Sequence, residues 1–148
     1  MTNSVNLKWF ALVYVAAMVG ITLISGVLLF GFGIDVPASA TQFIPVLIAT
    51  MHVGKMYFED YQQVPDVKEA WAASRRMTLV EMAISLPLGA VFIALLLGDS
   101  DNIDWTIYGP VFLVGAGFLF AISLVAKRFL FVTGAKGAQT QQEKKQAS

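Results

Sequence analysis

Glu81 is the residue whose type and place most suggest chemistry. It sits inside a long apolar run, five positions after Arg76. On a helix that is about 7–8 Å further along, at ~1.5 Å per residue. An ionisable group at such a depth is by default a candidate functional site, because an unpaired charge there is strongly disfavoured. His52 and Lys55 approach a similar depth from the preceding apolar run. They are three apart and so share a helix face, which Met56 and Glu59 extend. The spacing predicts an intramembrane polar cluster of His52, Lys55, Arg75 and Glu81. Such a cluster could carry a proton-linked step, since imidazole changes charge between about pH 5 and 8. It could equally be an ion-paired lock between two helices near the interface.

Other chemistries find little support. The chain has no cysteine, so thiol redox, iron–sulfur and thiolate-zinc sites are excluded. Met51-His52 and Met56 form a thin ligand set for copper or haem, because the chain has one histidine. No serine has a His/Asp pair to activate it. Gly31-Phe32-Gly33 is a loop end without a phosphate-cradling pattern. Asp99, Asp101 and Asp104 fall in a turn-rich loop, where solvated turn residues are expected. No catalytic, cofactor-binding or metal site is predicted, and the chain is read as a non-enzyme that needs no cofactor.

The elements that position these residues follow from hydropathy. Hydrophobic residues make up 57% and charged residues 14% of the 148. Soluble domains average about 25% charged residues. The charges are clustered, which leaves four apolar stretches near 9–32, 38–58, 77–97 and 105–132. About 20 helical residues cross a hydrocarbon core of roughly 30 Å. Backbone groups in lipid must be paired within the segment, so the stretches are expected to be helices. Ala38-Ser39-Ala40 resembles a cleavage triplet. The run before it is longer than the 7–15 residues of a signal-peptide core, so it is read as a retained span.

Local signals refine this outline. Pro45 and Pro87 lie inside spans two and three, and Trp9 suits an interfacial belt. Gln62-Gln63-Val64-Pro65 breaks a helix. Asp66-Val67-Lys68-Glu69 reads as a capping box, so a helix should start near Asp66 and run through Arg75-Arg76 into span three. Small residues recur four apart at Ala16/Gly20, Ser85/Gly89, Ala90/Ala94 and Gly117/Ala121, spacings that allow close helix approach. The tail at 134–148 is Gly, Ala, Gln and Lys, and is expected to be disordered.

Charge sets the orientation. All ten bases fall on one side of the four-span pattern: Lys8, Lys55, Lys68, Arg75, Arg76, Lys127, Arg128, Lys136, Lys144 and Lys145. The first and third loops carry Asp35, Asp99, Asp101 and Asp104 and no base. Short base-rich loops stay in the cytoplasm. The expected fold is an all-α transmembrane four-helix bundle, a single membrane domain with both termini cytoplasmic. Its expected partners are the lipid bilayer and a membrane-protein partner or a second copy of itself. Nucleic acid is not expected, because no basic patch is interleaved with aromatics on a soluble face. Arg75-Arg76 with Lys68 could attract anionic lipid, though topology alone accounts for them.

Phe58-Glu59-Asp60, Pro65, Glu69 and Trp71 together resemble an element of a group of small four-span bacterial inner-membrane proteins. Gln63 takes the place of a base in that pattern. The resemblance covers about a third of the chain. It implies the topology and no catalytic residue. The functional expectation is a non-catalytic accessory or structural subunit that packs with itself or a larger membrane complex. The alternative is a small proton-linked transporter or channel using Glu81 and His52.

Overall fold

The computed structural model describes residues 5–97 and 105–147. Four α-helices account for nearly all of them: α1 Leu7–Phe32, α2 Ala38–Tyr61, α3 Val67–Leu97 and α4 Trp105–Gln146. Asp99, Asp101 and Asp104 lie outside the described residues.

Each helix end has a local cause. Asn6 accepts a hydrogen bond from the Trp9 backbone N–H at 3.3 Å and so caps α1. Gly33 ends α1 in the left-handed region at φ 68°. Its N–H reaches the Leu29 carbonyl and that of Ile34 reaches Leu28, both at 3.0 Å, which satisfies carbonyls the last turn would leave open. α2 runs unbroken through Pro45 and ends at Gln62, also left-handed, with φ 53°. The capping box forms as the sequence predicts. Asp66 Oδ1 accepts from the Glu69 N–H at 2.7 Å, and Glu69 Oε2 accepts from the Asp66 N–H at 3.1 Å. α3 then continues without a break through Arg75-Arg76.

The tail departs from expectation. Residues 134–146 are helical, an extension of α4. The reason is a docking surface that composition does not reveal. Ala135 and Ala138 pack against Phe58 of α2, with Val64 alongside. Gln142 Nε2 donates to Gln62 Oε1 at 2.9 Å. Gln139 to Glu143 adds a bond one turn apart at 3.0 Å. These contacts make an Ala/Gln/Lys stretch of good helix formers hold its shape.

Those pairings also give a direction. Phe58 meets Ala138 and Gln62 meets Gln142, so α2 and α4 run the same way. They cross closely at two glycines. A Cβ on Gly54 would collide with the Phe131 carbonyl oxygen, and one on Gly134 with that of Met51. Backbone therefore meets backbone, which only Gly permits. Gly20 and Gly117, which the sequence marks for close approach, have open space where a Cβ would go.

The tight packing gathers around Phe10 and Tyr14 of α1, Val53 and Tyr57 of α2, Met77 of α3 and Phe131 of α4. Elsewhere large apolar side chains face outward. Phe30 is 90% exposed and Val114 is 74% exposed. The stretches Leu7–Phe32 and Leu113–Gln146 are each long and apolar enough to cross a membrane. About 6% of the most apolar window of each is buried, so neither is a core helix wrapped by protein.

Candidate functional site

The site grows from two polar stripes. Ser74, Thr78, Glu81 and Ser85 are spaced four, three and four apart, which places them on one face of α3. Ser123 and Lys127 are four apart on α4. The two stripes face each other. Ser74 Oγ donates to the Leu124 carbonyl oxygen. Lys127 is fully buried, and its ammonium pairs with Glu81 Oε2. Lys127 Nζ also donates to Ser123 Oγ at 2.8 Å and to Thr78 Oγ1 at 3.1 Å. Ser123 Oγ donates to the same carboxylate oxygen at 3.1 Å. One turn along α3, Ser85 Oγ and Tyr14 of α1 share a hydrogen bond of 2.9 Å. The polar string thus runs from α1 through α3 to α4.

An ammonium has three protons and no lone pair. Lys127 has three acceptors, supplied by Thr78, Glu81 and Ser123. Every donor is used inside the protein. A buried charge without such partners would carry a penalty of several kcal/mol. The arrangement holds α3 against α4.

The sequence-predicted cluster of His52, Lys55, Arg75 and Glu81 is not brought together. Glu81 bonds to Lys127 and Ser123 instead. His52 and Lys55 lie on the exposed side of α2, opposite Val53 and Tyr57. Lys55 pairs with Glu59 at 3.6 Å, one turn away. Arg75 is exposed on α3. It stands six residues before Glu81, about 120° round a helix of 3.6 residues per turn. The shared face of His52 and Lys55 is thus real but turns outward, and the lock joins α3 to α4 rather than α2 to α3.

Lys127 is the residue that sequence reasoning missed. As a base near the end of an apolar run, it reads as a topology marker that reaches for the interface. The available signal was periodicity. Ser123 precedes it by one turn, and the Ser/Thr/Glu/Ser stripe on α3 offers matching acceptors. Its neighbour Arg128 turns instead toward aromatic rings. Its guanidinium lies 4.9 Å from the Trp71 ring centroid and 5.5 Å from that of Phe129.

A second knot fastens the end of the bundle where the bases collect. Tyr57 donates its hydroxyl to Glu69 Oε2 at 2.8 Å. Its ring meets Phe131 edge-on at 5.3 Å. One tyrosine thereby ties the end of α2 to the start of α3 and to α4. No protein-family model matches the chain, and neither a curated protein nor a solved structure matches it significantly.

Proposed function

We propose that the protein is a four-span membrane protein of a bacterial inner membrane, with both termini cytoplasmic. It acts as a non-catalytic accessory or structural subunit that packs with itself or with a larger membrane complex. The resemblance of Phe58–Trp71 to small four-span proteins belongs to the same proposal. The one-sided placement of all ten bases supports the orientation. The outward apolar surfaces of α1 and α4 support immersion in lipid. Phe10 and Tyr14 pack α1 into the core, which supports its being a retained span.

The observation that carries the subunit role is the saturated ammonium of Lys127. A transport site must bind and release its cargo, and so needs a donor or acceptor that can exchange partners. Here the buried ammonium of Lys127 and the partly buried carboxylate of Glu81 satisfy each other within α3 and α4. A proton-linked transporter or channel is the second reading. The Tyr14–Ser85 bond, one turn beyond Glu81, stands on its side because it lengthens the polar string. His52 has no part in it, since it lies on the exposed face of α2.

Glu81→Gln separates the two. For a subunit, the variant is expected to lower stability or the yield of assembled complex, with ion flux in proteoliposomes equal to wild type. Robust pH-dependent uptake by the wild-type chain, lost in Glu81→Gln while the fold persists, would reverse the ranking.

A further inference from the structure

A groove of about 560 Å³ opens where α1 begins, α2 ends and α3 starts. Val5, Tyr57 and the first three turns of α3 line it. Its lining carries three bases, Lys68, Arg75 and Arg76, against two acids, Asp66 and Glu69. The acids are occupied. Glu69 accepts from Tyr57 and from the Asp66 N–H, and Asp66 accepts from the Glu69 N–H. The bases are exposed, and none forms an ion pair among the described residues. Arg128, 4.9 Å from the centroid of the Trp71 ring that lines the groove, adds positive charge nearby.

The same face of α3 changes character above the groove. Lys68, Ala72, Arg75, Leu79, Ala83 and Leu86 follow at steps of four, three, four, four and three, and so form one stripe along the helix. Its lower part is basic. Its upper part is apolar and open, with Leu79 63% and Leu86 56% exposed. A free anion would use only the lower part. A molecule with a phosphate at one end and hydrocarbon at the other would use both.

We propose that this groove binds the headgroup phosphate of an anionic phospholipid, held by Lys68, Arg75 and Arg76, with an acyl chain along Leu79, Ala83 and Leu86. The site rests on the membrane-spanning reading and is independent of the subunit role. Bases near an anionic surface attract it individually. The groove adds a fixed place for one headgroup, with Trp71 as an aromatic wall at headgroup level.

The test uses the full chain purified in an uncharged detergent. Binding is measured for phosphatidylglycerol, for phosphatidylcholine and for inorganic phosphate alone. Wild type is expected to bind phosphatidylglycerol at least tenfold more tightly than phosphatidylcholine, with no competition from millimolar phosphate. Arg75→Gln/Arg76→Gln should lose that preference at an unchanged melting temperature. Lys136→Gln, an exposed base on α4 outside the groove, should keep it. Equal retention by the double variant would overturn the site. So would an equal loss in Lys136→Gln, which would mean diffuse charge, or displacement by phosphate, which would mean a free-anion site. A chain that stays soluble without detergent and floats with no vesicle would overturn the membrane reading and the site with it. A chain that floats but shows no lipid preference would overturn the site alone.

Discussion

Replacing Lys127 with Met is expected to destabilise the folded chain by about 3–5 kcal/mol, the range for breaking a buried ion pair by removing one partner. The loss comes from what stays behind. Glu81 and Ser123 keep their places, and the carboxylate loses the ammonium that neutralises it. Thr78 loses its donor as well. Lys127→Met combined with Glu81→Leu should recover most of the loss, because removing both charges leaves neither unpaired. Unfolding in mixed detergent micelles, measured for the wild type, both single variants and the pair, gives the coupling directly. A coupling near zero would mean that the two side chains act separately.

The second large effect lies where α2 crosses α4. Gly134→Leu is expected to cost about 3 kcal/mol or more, the upper end of overpacking, because the new side chain meets the Met51 backbone. Backbone cannot swing aside as a flexible side chain can. Gly54→Leu should behave alike against Phe131. Gly20→Leu, in open space on α1, should stay within about 0.5 kcal/mol of wild type. The same unfolding measurement checks all three. A benign Gly134→Leu would show that the two helices do not cross where the glycines place them.

Much of this fold can be read from the chain, because its main causes are local. Apolar run lengths place the four helices, and Asp66 with Glu69 marks the start of α3 to the residue. Glu81 stands out because a carboxylate within an apolar run needs a partner. Which partner is a question of helix rotation. Spacing within one helix shows that His52 and Lys55 share a face, yet it does not say which way that face turns. Arg75 is near Glu81 in sequence and about 120° away around α3. Lys127 is 46 residues distant and touches it.

The glycine contacts and the tail share a different cause. Gly54 and Gly134 lie on separate helices, so no four-residue spacing links them. Their contact depends on the register between α2 and α4. The tail reads as disordered because its own composition offers no apolar periodicity. It is helical because Phe58 and Gln62 of another helix give Ala135, Ala138 and Gln142 something to dock on. Tertiary contacts outweigh local composition there.

The most direct test of the four-span, both-ends-inside architecture uses the absence of cysteine in the chain. Single cysteines at Asp35 and at Gln141, both exposed, report on opposite sides. With a membrane-impermeant maleimide on intact bacterial spheroplasts, Asp35→Cys should label and Gln141→Cys should not. Lysis should then expose Gln141→Cys to full labelling. Labelling of Gln141→Cys in intact spheroplasts, or protection of Asp35→Cys until lysis, would contradict the account.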